Sequence, residues 1–260
     1  MTRCALLAMA TPLEVGILAL VAVAAGTVDA IGGGGGLLTV PALLAVGLPP
    51  QLALGTNKGQ SVFGSTAALV SFARAGLVSW KRVRWTMPLA FVGAALGAML
   101  VLRLRPEVLR PLVLVLLVMA ATFLAFARPR EGKNQVTGRA QALAGLLALG
   151  VGVYDGFFGP GTGTLLVVGF AALLALPLRR ASAEAKAVNA ASNLAAMLLF
   201  AARGAVLWYI ALPMALGQLL GGWLGAHLVI RGGDRVVRLV VLAVVVALVL
   251  KLGSDSLRAG

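Results

Sequence analysis

Two short stretches hold most of the groups able to do chemistry in this very apolar chain. The first is Asp29-Ala-Ile-Gly-Gly-Gly-Gly-Gly-Leu-Leu-Thr-Val-Pro41 and the second is Asp155-Gly-Phe-Phe-Gly-Pro-Gly-Thr-Gly-Thr164. Each is followed by a polar set: Thr56-Asn-Lys-Gly-Gln-Ser61 after the first, and Glu184, Lys186, Asn189, Ser192 and Asn193 after the second. Lys186, Asn189 and Asn193 are three and four residues apart, the spacing that places side chains on one helix face. Lys58 and Ser65 share a face in the same way.

This combination suits a small anion. A helix that restarts after a glycine run presents unpaired N–H groups and the positive end of its dipole. Glycines let that backbone approach an oxyanion closely. The expected site therefore takes Gly33, Gly34 and Gly35 with Asn57, Lys58 and Gln60 from one half. From the other it takes Gly159, Gly161 and Thr162 with Lys186, Asn189 and Asn193. One lysine from each half adds a compact positive charge. The plainer alternative is that the glycines serve close helix packing and the lysines snorkel to the interface. Asp29 and Asp155 precede the two runs, and two roles stay open for them. As carboxylates at membrane depth they suit a coupling proton; as acceptors for backbone N–H groups they would hold the broken turn.

The elements carrying these residues must be membrane helices. The chain has 260 residues, of which 60% are hydrophobic and 12% charged, and its mean hydropathy is +1.01. Soluble domains are roughly 45–50% apolar and about 25% charged. The formal charge of +14 sits between apolar spans with no basic face, so the positive-inside effect explains it and nucleic-acid binding is not expected. Cys4 is the only cysteine and His227 the only histidine, so neither a disulfide nor an imidazole metal site is expected, and no cofactor is called for. There is no nucleophile–histidine pair and no H-E-x-x-H, so enzyme activity is not expected. Residues 1–10 faintly resemble a signal peptide, but the apolar part is short and Glu14 follows, so no cleavage is expected.

Apolar segments fall at 13–30, 37–47, 52–73, 85–103, 107–127, 139–155, 163–176, 183–202, 205–229 and 234–251. A spanning helix needs about 20 residues. Segments 37–47 and 163–176 are shorter and follow the glycine runs directly, so they are second halves of broken helices or re-entrant pieces. Ser182 is expected to cap the helix after Pro177, and Glu184 to pair with a nearby base. The fold expected is an all-α integral membrane protein of eight to ten segments. It is built as two homologous repeats, residues 1–127 and 139–260, joined by a polar linker at 128–138.

The repeat is legible directly. Shifting the chain by 128 positions carries Lys58 onto Lys186, Gly76 onto Gly204, Trp80 onto Trp208 and Arg103 onto Arg231. A shift of 126 carries Asp29 onto Asp155 and Gly33 onto Gly159. If the short segments turn back, four crossings per half make the repeats parallel; if they cross, five make them inverted. The positive-inside rule leans towards ten crossings with both termini outside.

Gly26-Thr-Val-Asp-Ala-Ile-Gly, Gly55-Thr-Asn-Lys58, Phe72-Ala-Arg-Ala-Gly-Leu-Val-Ser-Trp80, Tyr154-Asp-Gly-Phe-Phe-Gly-Pro-Gly-Thr-Gly163, Lys186-Ala-Val-Asn189 and Gly217-Gln-Leu-Leu-Gly-Gly-Trp-Leu-Gly-Ala226 together resemble the sulfite exporter TauE/SafE family over essentially the whole chain. The resemblance implies a multi-pass permease of the bacterial cytoplasmic membrane that exports sulfite or an organosulfonate such as sulfoacetate. The activity expected is secondary transport by alternating access, coupled to the proton gradient; a passive anion channel on the same fold is the alternative. Its partners would be that small anion and the lipid bilayer, and oligomeric state is left open.

Overall fold

A computed structural model describes residues 10–105, 107–109, 111–113, 115–116 and 138–259, with side chains described as far as Val240. Cys4, most of segment 107–127 and nearly all of the polar linker lie outside the described residues. No strand occurs among them. The helices are α1 (Pro12–Gly32), α2 (Gly36–Ala45), α3 (Pro50–Arg74), α4 (Trp80–Arg103), α5 (Gly138–Phe157), α6 (Thr162–Leu174), α7 (Leu178–Ala202) and α8 (Trp208–Ala259).

Local chemistry accounts for the helix ends. Thr11 caps α1 in a reciprocal capping box: its backbone N–H donates to the Glu14 carboxylate at 2.6 Å, and its hydroxyl accepts from Glu14 N–H at 3.3 Å. The helix stops at Gly33, whose φ of 81° and ψ of 175° lie in a region essentially reserved for glycine. Gly159, φ 99°, follows the end of α5 in the same way. Proline precedes or opens both α3 and α7, and Pro49 and Pro177 share φ −55° and ψ 144°. The segments expected at 205–229 and 234–251 lie end to end in α8 as two helices separated by a kink at Gly233, whose φ of 62° and ψ of −151° are not helical.

Five of these are long and apolar enough to cross a membrane: α1, α4, α5, α7 and Trp208–Val240 of α8. The expected eight to ten segments also counted α3, which is 25 residues long but too polar for that criterion, and the short α2 and α6. Polarity runs inside-out. Helix α4 exposes Leu89, Val92, Leu96 and Leu100 and buries Thr86, Ala90, Gly93 and Gly97, the pattern of a helix whose solvent is lipid.

Small residues set the packing. On α8, a Cβ at Gly217, Gly221 or Gly225 would lie 2.2–2.4 Å from the carbonyl oxygens of Ala19, Val23 and Thr27 on α1. Gly93 and Gly97 of α4 approach Leu149 and Val153 of α5 as closely, at 2.3 and 2.0 Å. In both seams the residue numbers advance together, so α8 runs parallel to α1 and α4 parallel to α5. Such backbone contact is how membrane helices gain packing energy without a hydrophobic drive. Helix α2 runs back along α1, with Leu43 and Leu18 in one buried cluster. Helix α6 runs back along α5, bringing Phe170 and Leu174 beside Gly145 and Gln141.

Ser182 is not the cap of α7, as expected from sequence. The helix begins at Leu178 behind Pro177, and Ser182 donates to the carbonyls of Ala30 and Ile31 at 3.2 and 2.8 Å. Thr164 donates to Gly32 O at 2.8 Å. The last turn of α1 leaves these carbonyls unpaired inside the helix, and hydroxyls from the other half satisfy them. Glu184 finds its expected base in Arg82 of α4, which binds both carboxylate oxygens.

Candidate functional site

The two helix breaks meet in the middle of the molecule. A Cβ built at Gly33 would lie 2.2 Å from Thr164 N, and one at Gly163 2.6 Å from Gly33 Cα. The chain ends of α1 and α5, and the starts of α2 and α6, are thereby brought to one place. Helices α3 and α7 pass beside it and deliver the polar sets.

Both lysines are buried there and both are paired. Lys58 Nζ lies 2.7 Å from Asp155 Oδ1, with side-chain exposures of 2% and 2%. Lys186 Nζ lies 2.7 Å from Asp29 Oδ2, with exposures of 0% and 20%. The pairing is crossed: each lysine binds the aspartate of the other polar stretch. A buried charge needs such a partner, and this is why neither lysine snorkels to the surface. Lys58 also donates to Asn193 Oδ1 at 3.0 Å, and Lys186 to Asn189 Oδ1 at 3.5 Å. Two ammonium and two carboxylate groups leave the cluster with no formal charge.

Hydroxyls and amides complete it. Asp155 accepts from Ser192 Oγ at 2.5 Å and lies 2.8 Å from Thr162 Oγ1, which also reaches Gly159 O at 2.6 Å. Asp29 Oδ1 accepts the Gly35 N–H at 3.4 Å. Asn57 Oδ1 accepts from Thr39 Oγ1 at 2.6 Å and from Gln60 Nε2 at 3.0 Å. Gln60 Oε1 is buried without a partner.

A cavity of about 20 Å³ lies at the centre, room for about one water and for no oxyanion. Of the residues singled out in the sequence, Asp29, Gly35, Asn57, Lys58, Asp155, Gly159, Gly161, Thr162, Asn189 and Asn193 line it. Gly33, Gly34, Gln60 and Lys186 stand behind that lining: Gly33 packs on α6, Lys186 holds Asp29, and Gln60 holds Asn57.

Residues 18–252 match the family described as Sulfite exporter TauE/SafE. The chain belongs to the TauE/SafE family. It is 38% identical over 250 residues to "Probable membrane transporter protein YfcA" of Escherichia coli K12, covering 95% of this chain and 93% of that protein. It is 37% identical over 233 residues to "Probable membrane transporter protein ORF9" of a Sinorhizobium species, covering 89% of each. A "Probable membrane transporter protein" of Haemophilus influenzae is 37% identical over 223 residues, covering 85% of this chain and 88% of the relative. No solved structure matches. Membership makes this TauE/SafE chain a multi-pass membrane transporter, and the five long apolar helices fit that.

Sequence reasoning overlooked Gln218 of this TauE/SafE protein. It lines the cavity from α8, is 3% exposed, and fits a slot in which a Cβ at Gly26 or Gly64 would lie 2.9 or 2.3 Å from its Oε1. The signal available was a lone amide at membrane depth beside Gly217. Ser61 and Gly163 also line the cavity, both inside the stretches already singled out.

Proposed function

We propose that this protein is a secondary transporter that exports a small sulfur oxyanion, sulfite or an organosulfonate such as sulfoacetate, across the bacterial cytoplasmic membrane. The observation that carries the reading is the pair of crossed Lys–Asp bridges around a small cavity where two interrupted helices meet. An entering anion competes with Asp155 for Lys58 and with Asp29 for Lys186, and the backbone N–H groups at the starts of α2 and α6 add donors. A carboxylate displaced from its lysine is a buried charge without a partner, which a proton neutralises. This ties the passage of the anion to a proton.

Alternating access fits the same arrangement. We read residues 1–127 and 139–260 as inverted repeats, with α1–α2 and α5–α6 as re-entrant pairs. A pair that enters and leaves on one side adds no net crossing, so each half has an odd number rather than the four counted from sequence for segments that turn back. Supporting this, Gly97 meets the Val153 carbonyl and Gly225 the Thr27 carbonyl, so the two seams exchange under the same shifts that exchange the two ion pairs. The bridges connect the halves and must break and re-form when one rocks against the other.

The experiment is flux into proteoliposomes holding purified protein, with sulfite, sulfoacetate, sulfate and an uncharged control under an imposed pH gradient. Accumulation of sulfite or sulfoacetate against its own gradient is expected. Movement only down the gradient would mean a channel, and no anion flux at all would end the proposal.

A further inference from the structure

A second cavity of about 290 Å³ opens on the flank of the bundle, between α4, α5, α6 and α7, and shares no lining residue with the central one. Its walls grade from charged to apolar. At one end lie Arg82 and Glu184; further along are Thr86, Leu89, Gly145 and Phe170. Arg82 and Leu89 are seven positions apart on α4, which at about 1.5 Å per residue makes the groove roughly 10 Å long. Its charged end is the start of a membrane-length helix, marked by exposed Trp80 and Trp85. Aromatic residues of this kind sit at the headgroup level, so the apolar end lies at acyl-chain depth.

The headgroup end is basic. Lys81 and Arg84 are exposed, and the Arg84 guanidinium lies 5.3 Å from the ring centre of Trp85, which itself lines the groove. Glu184 is spoken for by Arg82, and Lys81 and Arg84 flank Arg82 on α4 beside the groove, outside its lining; among the described residues neither forms a salt bridge. We propose that this groove is a binding site for an anionic phospholipid, with its phosphate between Lys81 and Arg84 and one acyl chain lying along Leu89, Gly145 and Phe170. A zwitterionic lipid offers the same chain and phosphate, but its ammonium group meets the basic mouth and is disfavoured. The Arg82–Glu184 pair forms the floor between head and tail and keeps the guanidinium from competing for the phosphate. The site stands apart from the transported anion and does not rest on the transport reading.

The test is native mass spectrometry of the purified protein with phosphatidylglycerol, phosphatidylethanolamine or phosphatidylcholine added singly. One phosphatidylglycerol should be retained under conditions that strip the other two. Lys81→Ala with Arg84→Ala should weaken that retention about thirtyfold, counting two basic side chains near the headgroup. Gly145→Leu should block retention with both charges intact; a Cβ there meets only a Leu89 methyl group, at 3.1 Å. Equal retention of all three lipids by the parent would overturn the proposal. So would undiminished selectivity in the charge variant, whose two positions are exposed and which decides the matter even if Gly145→Leu does not fold.

Discussion

At the scale of single residues, the central fact is that neither lysine waits unpaired for its ligand. Sequence spacing placed Lys58 and Lys186 at the site and Asp29 and Asp155 beside the breaks; it carried no information on who partners whom, because the bridges join residues 97 and 157 positions apart. Removing one lysine strands a carboxylate that is almost wholly buried, and breaking a buried pair from one side costs about 3–5 kcal/mol. Lys58→Met should therefore lower the melting temperature markedly in detergent. Lys58→Met with Asp155→Asn should recover most of the loss, because the neutral amide replacing the carboxylate still meets Ser192 and Thr162. On the proposed function sulfite should raise the melting temperature of the parent, and neither variant should show that shift. A single variant as stable as the parent would mean that Asp155 carries no charge in the folded protein and that the bridge is not ionic.

At the scale of elements, the glycines divide by what surrounds them. The run Gly32–Gly36 marks a break because consecutive glycines cannot hold a helix, and this was legible at once. That α2 then lies back along α1 was not, since hydrophobic period and length are the same whether a short helix continues or returns; it rests on Leu43 of α2 sharing a buried cluster with Leu18 of α1. The same ignorance of neighbours misplaced Ser182: a serine near a helix start reads as a cap, and nothing local reveals that unpaired carbonyls of α1 lie within its reach. Surroundings also separate two glycines of similar φ. Gly33 (φ 81°) has the α6 backbone 2.2 Å from its missing Cβ, whereas Gly47 (φ 86°) has nothing within 4 Å. Gly47→Ala should cost only the backbone term, about 1 kcal/mol. Gly33→Ala adds a clash with main chain that cannot swing aside, for about 2–5 kcal/mol together, and should abolish anion binding. Thermal unfolding of the two variants side by side checks this, and equal losses would show that the approach of α1 to α6 does not hold the site together.

At the scale of the whole molecule, the question is the relation between the halves. The Gly76 turn leads into α4, whose first residues share a groove with the start of α5 and the start of α7. Helix α7 then carries the chain 25 residues away to the Gly204 turn, which leads into α8. Positions 75–76 and 203–204 correspond under the 128-residue shift, yet a helix of membrane length separates the levels at which they lie. Parallel repeats would place them on the same face, so the two turns read the topology directly. Arg74, Lys81, Arg82, Arg84, Arg179 and Arg180 gather near the first turn, and basic residues favour the cytoplasm. Because Cys4 is the only cysteine, Cys4→Ser gives a background for single reporters at Ala75 and Ala202, both exposed. In intact cells a membrane-impermeant maleimide should label Ala202→Cys, and Ala75→Cys only after permeabilisation. Labelling of both from the same side would make the repeats parallel and would remove the rocking of inverted halves as the means by which the crossed bridges open.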